Sequence, residues 1–387
     1  VVECAEDIKT TYDTLIETIN THNQSLTTQI IDSQDNFTNP LLHPISKIHL
    51  NVDSGFPVTI YLCSSAEFAA VLFLTTPTNE HLSAFPTNTL CNVENENDIT
   101  EFWEETQHKT EPEIYEKIGM SYIEPELRQF PDTVRLALEN RLPKLIEYSD
   151  MRGDLHTHTD WSDGTHTLSE MVEAAKKRGL EYYAITDHSV SSTVANGLDQ
   201  KRLLAQIKQV REMDAATEGI TILAGSEVDI RRDGTLDFPD EILAQLDIVV
   251  ASVHSQFTLS EAEMTKRVIR AIENPYVMII GHLTGRLLCK RPMYPINIDE
   301  IIAAAAENDT VLEINGSPSR LDLGPEYIRL AKNAGVLISV NTDAHSIPEA
   351  ERYQYGVNVA RRSGLTKEDV INTYPLEKLQ KTLKKEL

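Results

Sequence analysis

Residues 154–158 have the sequence Asp-Leu-His-Thr-His, which we predict to be a short buried β-strand with metal-binding side chains at its end. His156 and His158 are separated by one residue. Because side chains alternate along a strand, both imidazoles lie on the same face. Imidazole nitrogens are preferred ligands of zinc and related ions. The stretch therefore predicts both a strand and part of a metal site.

Six further apolar stretches follow the same pattern, and nearly every one ends in His, Asp or Glu. They are residues 183–188, 222–227, 249–254, 278–282, 311–315 and 337–345. Strands that end together in a closed barrel place their last side chains around one rim. The repetition therefore predicts both the fold and the position of the site.

Nine residues at these strand ends or directly after them have the side chains of metal ligands. They are His156, His158, Asp163, His188, Glu227, His254, His282, Asp343 and His345. Nine ligands are too many for one ion and suit two or three divalent ions, for which Zn²⁺ and Mn²⁺ match the nitrogen and oxygen donors. Glu227 or Asp343 is the expected bridge, because a carboxylate can bind two ions through its two oxygens.

Strands and helical patterns alternate from Arg152 onward, which is typical of an α/β fold with a parallel sheet. The predicted helices cover residues 167–178, 199–216, 260–273, 299–307 and 325–333. A closed or nearly closed (β/α)7 barrel is the favoured architecture. An open, doubly wound sheet is the alternative, but it would spread the metal-type residues along an edge.

Residues 1–150 have a different pattern, which predicts a smaller α+β domain. We expect helices at 6–19 and 65–74, strands at 29–31, 47–52 and 58–62 in a small antiparallel sheet, and a solvated loop or linker at 92–111. A chain of 387 residues suits two domains.

Charge and composition exclude several classes of protein. The net charge of −25 argues against extensive, non-specific binding of nucleic acid. Residues 1–150 carry 25 acidic against 8 basic side chains, a net of −17, and residues 151–387 carry 35 against 27, a net of −8. No apolar run approaches the ~20 residues of a membrane span, and the scattered cysteines are typical of a reducing compartment. We therefore expect a cytoplasmic protein, processed or excised from a longer chain because it begins at Val1.

The chemistry of such a site is hydrolytic. Two ions about 3.5–4 Å apart activate a water molecule and stabilise an in-line displacement, as in the hydrolysis of phosphoesters or amides. Arg286 and Arg320 lie near strand ends, where each could hold a phosphate through two hydrogen bonds. The alternative for each arginine is a surface ion pair. We favour phosphoester hydrolysis, with Glu227, Asp343, Arg286 and Arg320 as the catalytic candidates.

Several short motifs resemble those of the PHP (polymerase and histidinol phosphatase) superfamily in order and spacing. They are residues 154–159 with 162–164, then 186–188, 225–227, 252–255, 281–282 and 342–345. The resemblance implies a distorted (β/α)7 barrel and a trinuclear site that usually holds manganese or zinc. It also implies ligand roles for all nine of the residues named above.

Further segments resemble the C-terminal half of bacterial and archaeal family X DNA polymerases. They are residues 123–128, 151–156, 236–240, 281–286 and 319–323, and upstream 55–62 and 67–70. This resemblance implies a degenerate palm at 1–62, a thumb-like region and linker at 63–125, and the phosphoesterase domain at 126–387. In such polymerases the barrel is a 3′–5′ exonuclease that acts in repair.

The palm-like part departs from the polymerase pattern. Thr59 occupies the position of the last catalytic carboxylate, the paired Asp motif is absent from residues 1–50, and Thr76-Pro77 replaces an expected Gly-Ser. Two-metal nucleotidyl transfer depends on those carboxylates. We therefore predict that the chain does not polymerise and that residues 1–150 serve as a scaffold or a substrate gate.

Three functions follow from the sequence. The first is a metal-dependent phosphodiesterase that acts on DNA 3′ ends or short oligonucleotides. The second is a phosphatase for small phosphomonoesters such as histidinol phosphate or nucleotides, which the acidic surface favours. The third is a non-catalytic scaffold, which the complete ligand set disfavours. We expect no association with a membrane, and the sequence does not indicate which proteins the chain binds.

Overall fold

The computed structural model describes residues 1–3, 46–51, 57–86 and 96–383, together with the isolated positions 11, 14, 15 and 17. The chain divides into two compact units, Val1–Leu142 and Pro143–Leu387. Among the described residues, no helix has both the length and the apolar character needed to cross a membrane. The predicted helix at 6–19 and strand at 29–31 lie outside the described residues, apart from the four isolated positions.

The first unit contains a three-stranded sheet, formed by β1 (Val2–Glu3), β2 (Ser46–Asn51) and β3 (Pro57–Cys63). The strand order is β1-β3-β2, with β2 antiparallel and β1 parallel to β3. The predicted antiparallel pairing of the second and third strands is confirmed, whereas the parallel β1 makes the sheet mixed. The palm-like and thumb-like assignments of 1–62 and 63–125 stay predictions.

Helices complete the first unit: α1 (Phe68–Thr75), α2 (Asn79–Leu82), α3 (Glu96–Thr106), α4 (Glu111–Lys117) and α5 (Asp132–Leu138). The predicted loop at 92–111 is therefore wrong, because α3 occupies most of it. Phe102 and Trp103 of α3 are buried, and the Phe102 ring stacks on Phe73 with centroids 6.5 Å apart. These buried side chains give the helix an apolar face in an otherwise polar segment.

The second unit contains a sheet of seven parallel strands. They are β4 (Gly153–Asp154), β5 (Tyr182–Ile185), β6 (Thr221–Asp229), β7 (Ile248–Ser252), β8 (Ile279–Ile280), β9 (Val311–Asn315) and β10 (Ile338–Asn341). Their order in the sheet follows the chain from β4 to β10. Each predicted strand end is therefore next to the ends that precede and follow it in sequence.

Contacts between the first and last strands close the sheet. Just past β4 and β10, Thr157 and Ala344 form a parallel bridge. The Asp343 amide donates to the His156 carbonyl (3.0 Å), and the His158 amide donates to the Ala344 carbonyl (2.9 Å). The predicted (β/α)7 barrel is confirmed, and the open doubly wound sheet is wrong.

Helices alternate with the strands: α6 (Leu168–Lys177), α7 (Gln200–Ala216), α8 (Asp240–Leu243), α9 (Glu261–Ile272), α10 (Ile298–Glu307), α11 (Pro325–Asn333), α12 (Tyr353–Arg362) and α13 (Leu376–Leu383). The predicted capping box is present, since the Thr167 side chain accepts from the Glu170 amide and the Thr167 amide donates to the Glu170 carboxylate. Apolar side chains of five strands join one buried cluster with Ile371 and Tyr374. Polar side chains take over toward the carboxyl ends of the strands.

Candidate metal centre

Eight of the nine predicted ligands form three groups whose donor atoms lie within 4.8 Å of one another in each group. The groups are His158, Asp163, His188 and His345; then His156, His158 and Asp343; and lastly His188, Glu227 and His254. An ion about 2.0–2.2 Å from each ligand keeps its ligand atoms within about 4.4 Å of one another. The spacing of the donor atoms is therefore close to that of a formed coordination shell.

His158 and His188 belong to two groups each, so the three groups are contiguous. The ninth predicted ligand, His282, is in none of them, but its Nε2 lies 2.8 Å from Oε1 of Glu227. The structure thus brings all nine residues into one cluster at the carboxyl end of the barrel. Their assignment as ligands stays a prediction that this geometry supports.

Glu227 lies in the C-terminal half of β6 and is fully buried in the middle of this cluster. Its Oε2 lies 2.8 Å from His188 Nδ1 and 3.3 Å from His156 Nε2, and its Oε1 lies 3.2 Å from His254 Nε2. Burial alone would raise the pKa of this carboxyl, but the histidines around it hold the pKa well below its usual range. Glu227 is therefore an anion whose two oxygens face different histidines, as a bridging ligand requires.

Asp343 occupies a similar position after β10. Its Oδ1 lies 3.1 Å from Nε2 of His158, and its Oδ2 accepts a hydrogen bond from Asn315 Nδ2 at 3.0 Å. Burial opposes ionisation of this carboxyl, yet the charge of His156 and the contact with His158 hold its pKa well below the usual range. Asp163 completes the outer side of the cluster, with Oδ1 3.3 Å from His345 Nε2.

Several buried nitrogen and oxygen atoms of the cluster have no hydrogen-bond partner among the residues that the structure describes. They are His156 Nε2, His158 Nδ1, His188 Nδ1, His282 Nδ1 and Glu227 Oε2. His188 Nδ1 and Glu227 Oε2 are 2.8 Å apart but are not aligned as a hydrogen bond. Buried polar atoms are almost always paired in folded proteins. Divalent cations would satisfy this set of nitrogen and oxygen atoms, so the residues fit a metal centre.

The histidines differ in the protonation state that their surroundings favour. Burial, together with repulsion from His345 and His188, lowers the pKa of His158 to about 3. Burial opposes the charge on His254, but Glu227 and Asp229 raise its pKa to about 10. Only the neutral imidazole binds a metal. Metal binding at His254 would therefore release a proton.

Glu313 on β9 is a site residue that the sequence analysis did not identify. It is fully buried, and its Oε1 lies 2.7 Å from Nδ1 of His156. Asn341 Nδ2 donates to Oε1 (2.8 Å) and the His282 amide donates to Oε2 (2.7 Å). The available signal was a single charged residue in the mainly apolar strand 311–315. Without the closed barrel, nothing indicated which histidine it would meet.

Asp229 has a comparable supporting position, and Asp187 holds the loop that leads to Asp163. Asp229 Oδ1 lies 3.3 Å from Nδ1 of His254. Asp187, next to His188, accepts from Thr159, Ser162 and Gln206. Carboxylates that hold a metal-binding histidine by its second nitrogen fix the orientation of the ring. These contacts therefore preorganise the cluster.

The two predicted arginines lie in different environments. The Nε atom of Arg320 is 3.6 Å from Oδ2 of Asp343, so its guanidinium borders the cluster. Arg286 instead donates from Nε to the Arg320 carbonyl at 2.9 Å and from Nη2 to the Leu321 carbonyl. The structure thus uses Arg286 to hold the loop that carries Arg320. A direct phosphate contact by Arg286 stays a prediction.

Comparison with known proteins identifies relatives of this barrel. Residues 154–317 match the family described as "PHP domain". The chain is 42% identical over 276 residues to the "DNA polymerase/3'-5' exonuclease PolX" of Bacillus subtilis, which covers 71% of this chain and 48% of the relative. The chain therefore spans about half the length of that relative.

A shorter relative is covered almost completely. The chain is 36% identical over 231 residues to a "Probable phosphatase" of Thermoanaerobacter sp., covering 57% of this chain and 89% of the relative. Among solved structures, a histidinol phosphate phosphatase of Lactococcus lactis, complexed with zinc, L-histidinol and phosphate, has a TM-score of 0.41 and 20% identity. That match covers 54% of this chain and 94% of the other.

Proposed function

The chain belongs to the PHP domain family of metal-dependent phosphoesterases, and from this premise we propose that it is a phosphodiesterase that removes nucleotides from DNA 3′ ends. We propose that two or three divalent ions, Mn²⁺ or Zn²⁺, bind the nine clustered residues. We propose that polymerase activity is not part of this function, because Thr59 stands where the resemblance to family X polymerases implies a catalytic carboxylate.

One observation carries the proposal: the three contiguous ligand groups meet around the buried carboxylate of Glu227. A single structural ion would need one closed group of about four ligands. Contiguous groups with shared histidines instead suit ions close enough to act on the same phosphate. The arrangement therefore supports hydrolysis rather than a purely structural metal.

The chemistry divides between the ions and the protein. When bound, such ions lower the pKa of water toward 7 and stabilise charge on phosphate oxygens. Glu227 and Asp343 hold the centre in place, and Glu313 and Asp229 orient His156 and His254. Arg320 makes no hydrogen bond through its guanidinium among the described residues and borders Asp343, so it is the residue that we assign to a non-bridging phosphate oxygen.

We propose DNA 3′ ends as the substrate because of the similarity to the Bacillus polymerase/exonuclease. This similarity covers 71% of this chain, more than the family match at residues 154–317. A small phosphomonoester is the second candidate. It is favoured by the near-complete coverage of the Thermoanaerobacter relative, 89%, and by the net charge of −25. A polyanion approaches such a surface less readily than a monoester does.

The test offers both substrates to the same preparation. The protein, with Mn²⁺ or with Zn²⁺, is incubated with single-stranded DNA labelled at its 5′ end, and separately with a panel of phosphomonoesters that includes nucleotides and histidinol phosphate. Stepwise shortening of the strand with release of nucleoside monophosphates supports the proposal. Phosphate release from monoesters with intact DNA contradicts it and favours the second candidate.

A further inference from the structure

Two neighbouring loops at the carboxyl end of the barrel are basic in an otherwise acidic chain. Residues 283–298, after β8, contain Arg286, Lys290 and Arg291 and no acidic residue. Residues 316–321, after β9, contain Arg320 and no acidic residue. We call these two segments the basic loops. Four cations without an acid are unusual in a protein whose net charge is −25.

The basic loops are joined to each other. The Leu288 amide donates to the Ser319 carbonyl at 2.7 Å, and Arg286 binds the carbonyls of Arg320 and Leu321. Within the first loop, Leu287 and Arg291 form an antiparallel bridge. The loops therefore form one surface that begins at the metal centre rather than two independent segments.

Arg291 is held in place by the loop. It donates from Nε and Nη2 to the Gly285 carbonyl at 3.0 and 2.7 Å, and its guanidinium lies 4.0 Å from the centroid of the Phe257 ring. Burial, and then repulsion from Arg320, lowers the pKa of Arg291. The Leu288–Ser319 hydrogen bond joins the loops that carry the two arginines, and no ion pair of Arg291 with an acid occurs among the described residues.

Lys290 extends this surface outward. It is exposed beside Cys289 and Leu288, and Leu288 is itself an exposed apolar side chain. Two acids directly follow the basic loops in sequence. Asp299, after the first loop, is exposed, whereas Asp322, after the second, is buried and accepts from the Thr284 amide (3.0 Å) and hydroxyl (2.8 Å). The positive charge on this side is thus available to an external anion.

We propose that the basic loops bind the sugar–phosphate backbone of a single DNA strand upstream of its 3′-terminal phosphodiester, with Lys290 and Arg291 on phosphates beyond the one held by Arg320. This inference rests on the proposed function, because it assigns the path of the strand to the same metal centre. Its physical basis is that several cations on two joined loops match a repeating anion, whereas a monoester has a single phosphate for Arg320.

The binding has a measurable signature in its salt dependence. Each phosphate contact to a single strand releases condensed counterions and contributes about −0.7 to the slope of log K against log salt concentration. Substitution Lys290→Gln should therefore make the slope less steep by about 0.7, and Lys290→Gln with Arg291→Gln by about 1.4. Substitution of a residue that the DNA strand does not contact should leave the slope unchanged.

The matched control is Lys367→Gln. Lys367 is exposed and lies close in sequence to Asp369, whose carbonyl accepts from the amide of Ile338, the first residue of β10. It therefore belongs to the opposite, amino-terminal end of the barrel. The substitution removes the same charge from the chain without touching the basic loops.

The experiment measures binding of a fluorescent single-stranded 10-nucleotide DNA by anisotropy between low and moderate salt, in the presence of Mn²⁺ or Zn²⁺. Phosphorothioate linkages keep this DNA from being hydrolysed. Shallower slopes for the Lys290 variants, with the Lys367 variant equal to the unsubstituted protein, support the inference. Equal slopes for all proteins overturn it. The proposed function fails separately, if the unsubstituted protein with Mn²⁺ or Zn²⁺ leaves an ordinary phosphodiester strand of the same sequence intact.

A second readout follows the reaction. The ratio of kcat/KM for the oligonucleotide to kcat/KM for p-nitrophenyl thymidine 5′-phosphate should fall at least several-fold in the double variant. A small ester presents no upstream phosphate, so a general loss of folding or of metal would lower both rates and leave the ratio unchanged. An unchanged ratio in an active enzyme therefore counts against the inference.

Discussion

His156 Nδ1 lies 2.7 Å from Oε1 of Glu313, while Nε2 of the same ring faces Glu227 at 3.3 Å. The imidazole is thus held between two buried carboxylates, one on β9 and one on β6. Glu313 in turn accepts from Asn341 and from the His282 amide. This arrangement leaves one nitrogen of His156 for a metal and uses the other to orient the ring.

Removal of the charge on Glu313 should weaken metal binding. We expect Glu313→Gln to lower the affinity for Zn²⁺ or Mn²⁺ by about 10–100-fold, as for other partners of metal-binding histidines. Calorimetric titration of the metal-free protein measures this change. Glu307→Gln, an exposed position at the end of α10, is the matched control, and equal affinities for both variants would show that Glu313 does not act through His156.

Loss of a ligand should have a larger effect than loss of its partner. His156→Ala and Asp343→Ala should each reduce hydrolysis by more than the ~100-fold upper range for a supporting residue, with little loss of fold. Steady-state rates and far-ultraviolet circular dichroism measure the two properties. Persistent activity in both variants would refute the site assignment.

The acidic first unit contains an ion pair with a fully buried arginine. Arg128 is fully buried, and its Nη1 lies 2.5 Å from Oε1 of Glu111. We expect Glu111→Gln to destabilise this unit by about 3 kcal/mol, because it leaves a buried guanidinium without its counterion. Denaturant unfolding, followed by Trp103 fluorescence in a Trp161→Phe background, measures the unfolding free energy of this unit.

The control for that change is Glu139→Gln, whose partners Arg135 and Arg141 are exposed. Exposed pairs contribute little, so the unfolding midpoint should hardly move. Similar shifts for Glu111→Gln and Glu139→Gln would contradict a special role for the buried pair.

Asp322 should make stability depend on pH. Burial raises its pKa to about 6, from 3.8. The folded state therefore binds the proton more tightly than the unfolded chain, and the stability that this contributes is lost as the pH rises through 6. Between pH 5.5 and 7.5 the loss should be about 1 kcal/mol.

The measurement compares urea unfolding of the natural protein with Asp322→Asn at both pH values. Asparagine can still accept from Thr284, so the variant keeps the contact without the titration. The difference in unfolding free energy between the two proteins should change with pH in the stated direction. A constant difference would show that Asp322 does not titrate in this range.

Nucleotide incorporation should be absent. Thr59 is an exposed side chain on β3, and a hydroxyl cannot replace the carboxylate that holds two ions in nucleotidyl transfer. We expect no extension of a primed template by deoxynucleoside triphosphates with Mg²⁺ or Mn²⁺. Extension that persists in Asp343→Ala, in which the barrel site is disabled, would place polymerase chemistry elsewhere in the chain.

Much of the second unit could be predicted from sequence because its signals are local. Seven apolar stretches of strand length, separated by helices with capping signals such as Thr167 and Glu170, specify a parallel α/β sheet. The first unit was less predictable. In α3, Phe102 and Trp103 are buried by packing against Phe73, and a polar segment gives little local indication of such a contact.

Ligand-type side chains at the strand ends were determined by the sequence alone, since alternation along a strand places residues such as His156 and His158 on one face. Only the tertiary structure decided their partners. Glu313 meets His156 across 157 residues of chain because the barrel closes, and Arg286 binds backbone carbonyls because the loops after β8 and β9 are neighbours. Periodicity determines the direction in which a side chain points, whereas closure of the sheet determines which residues it contacts.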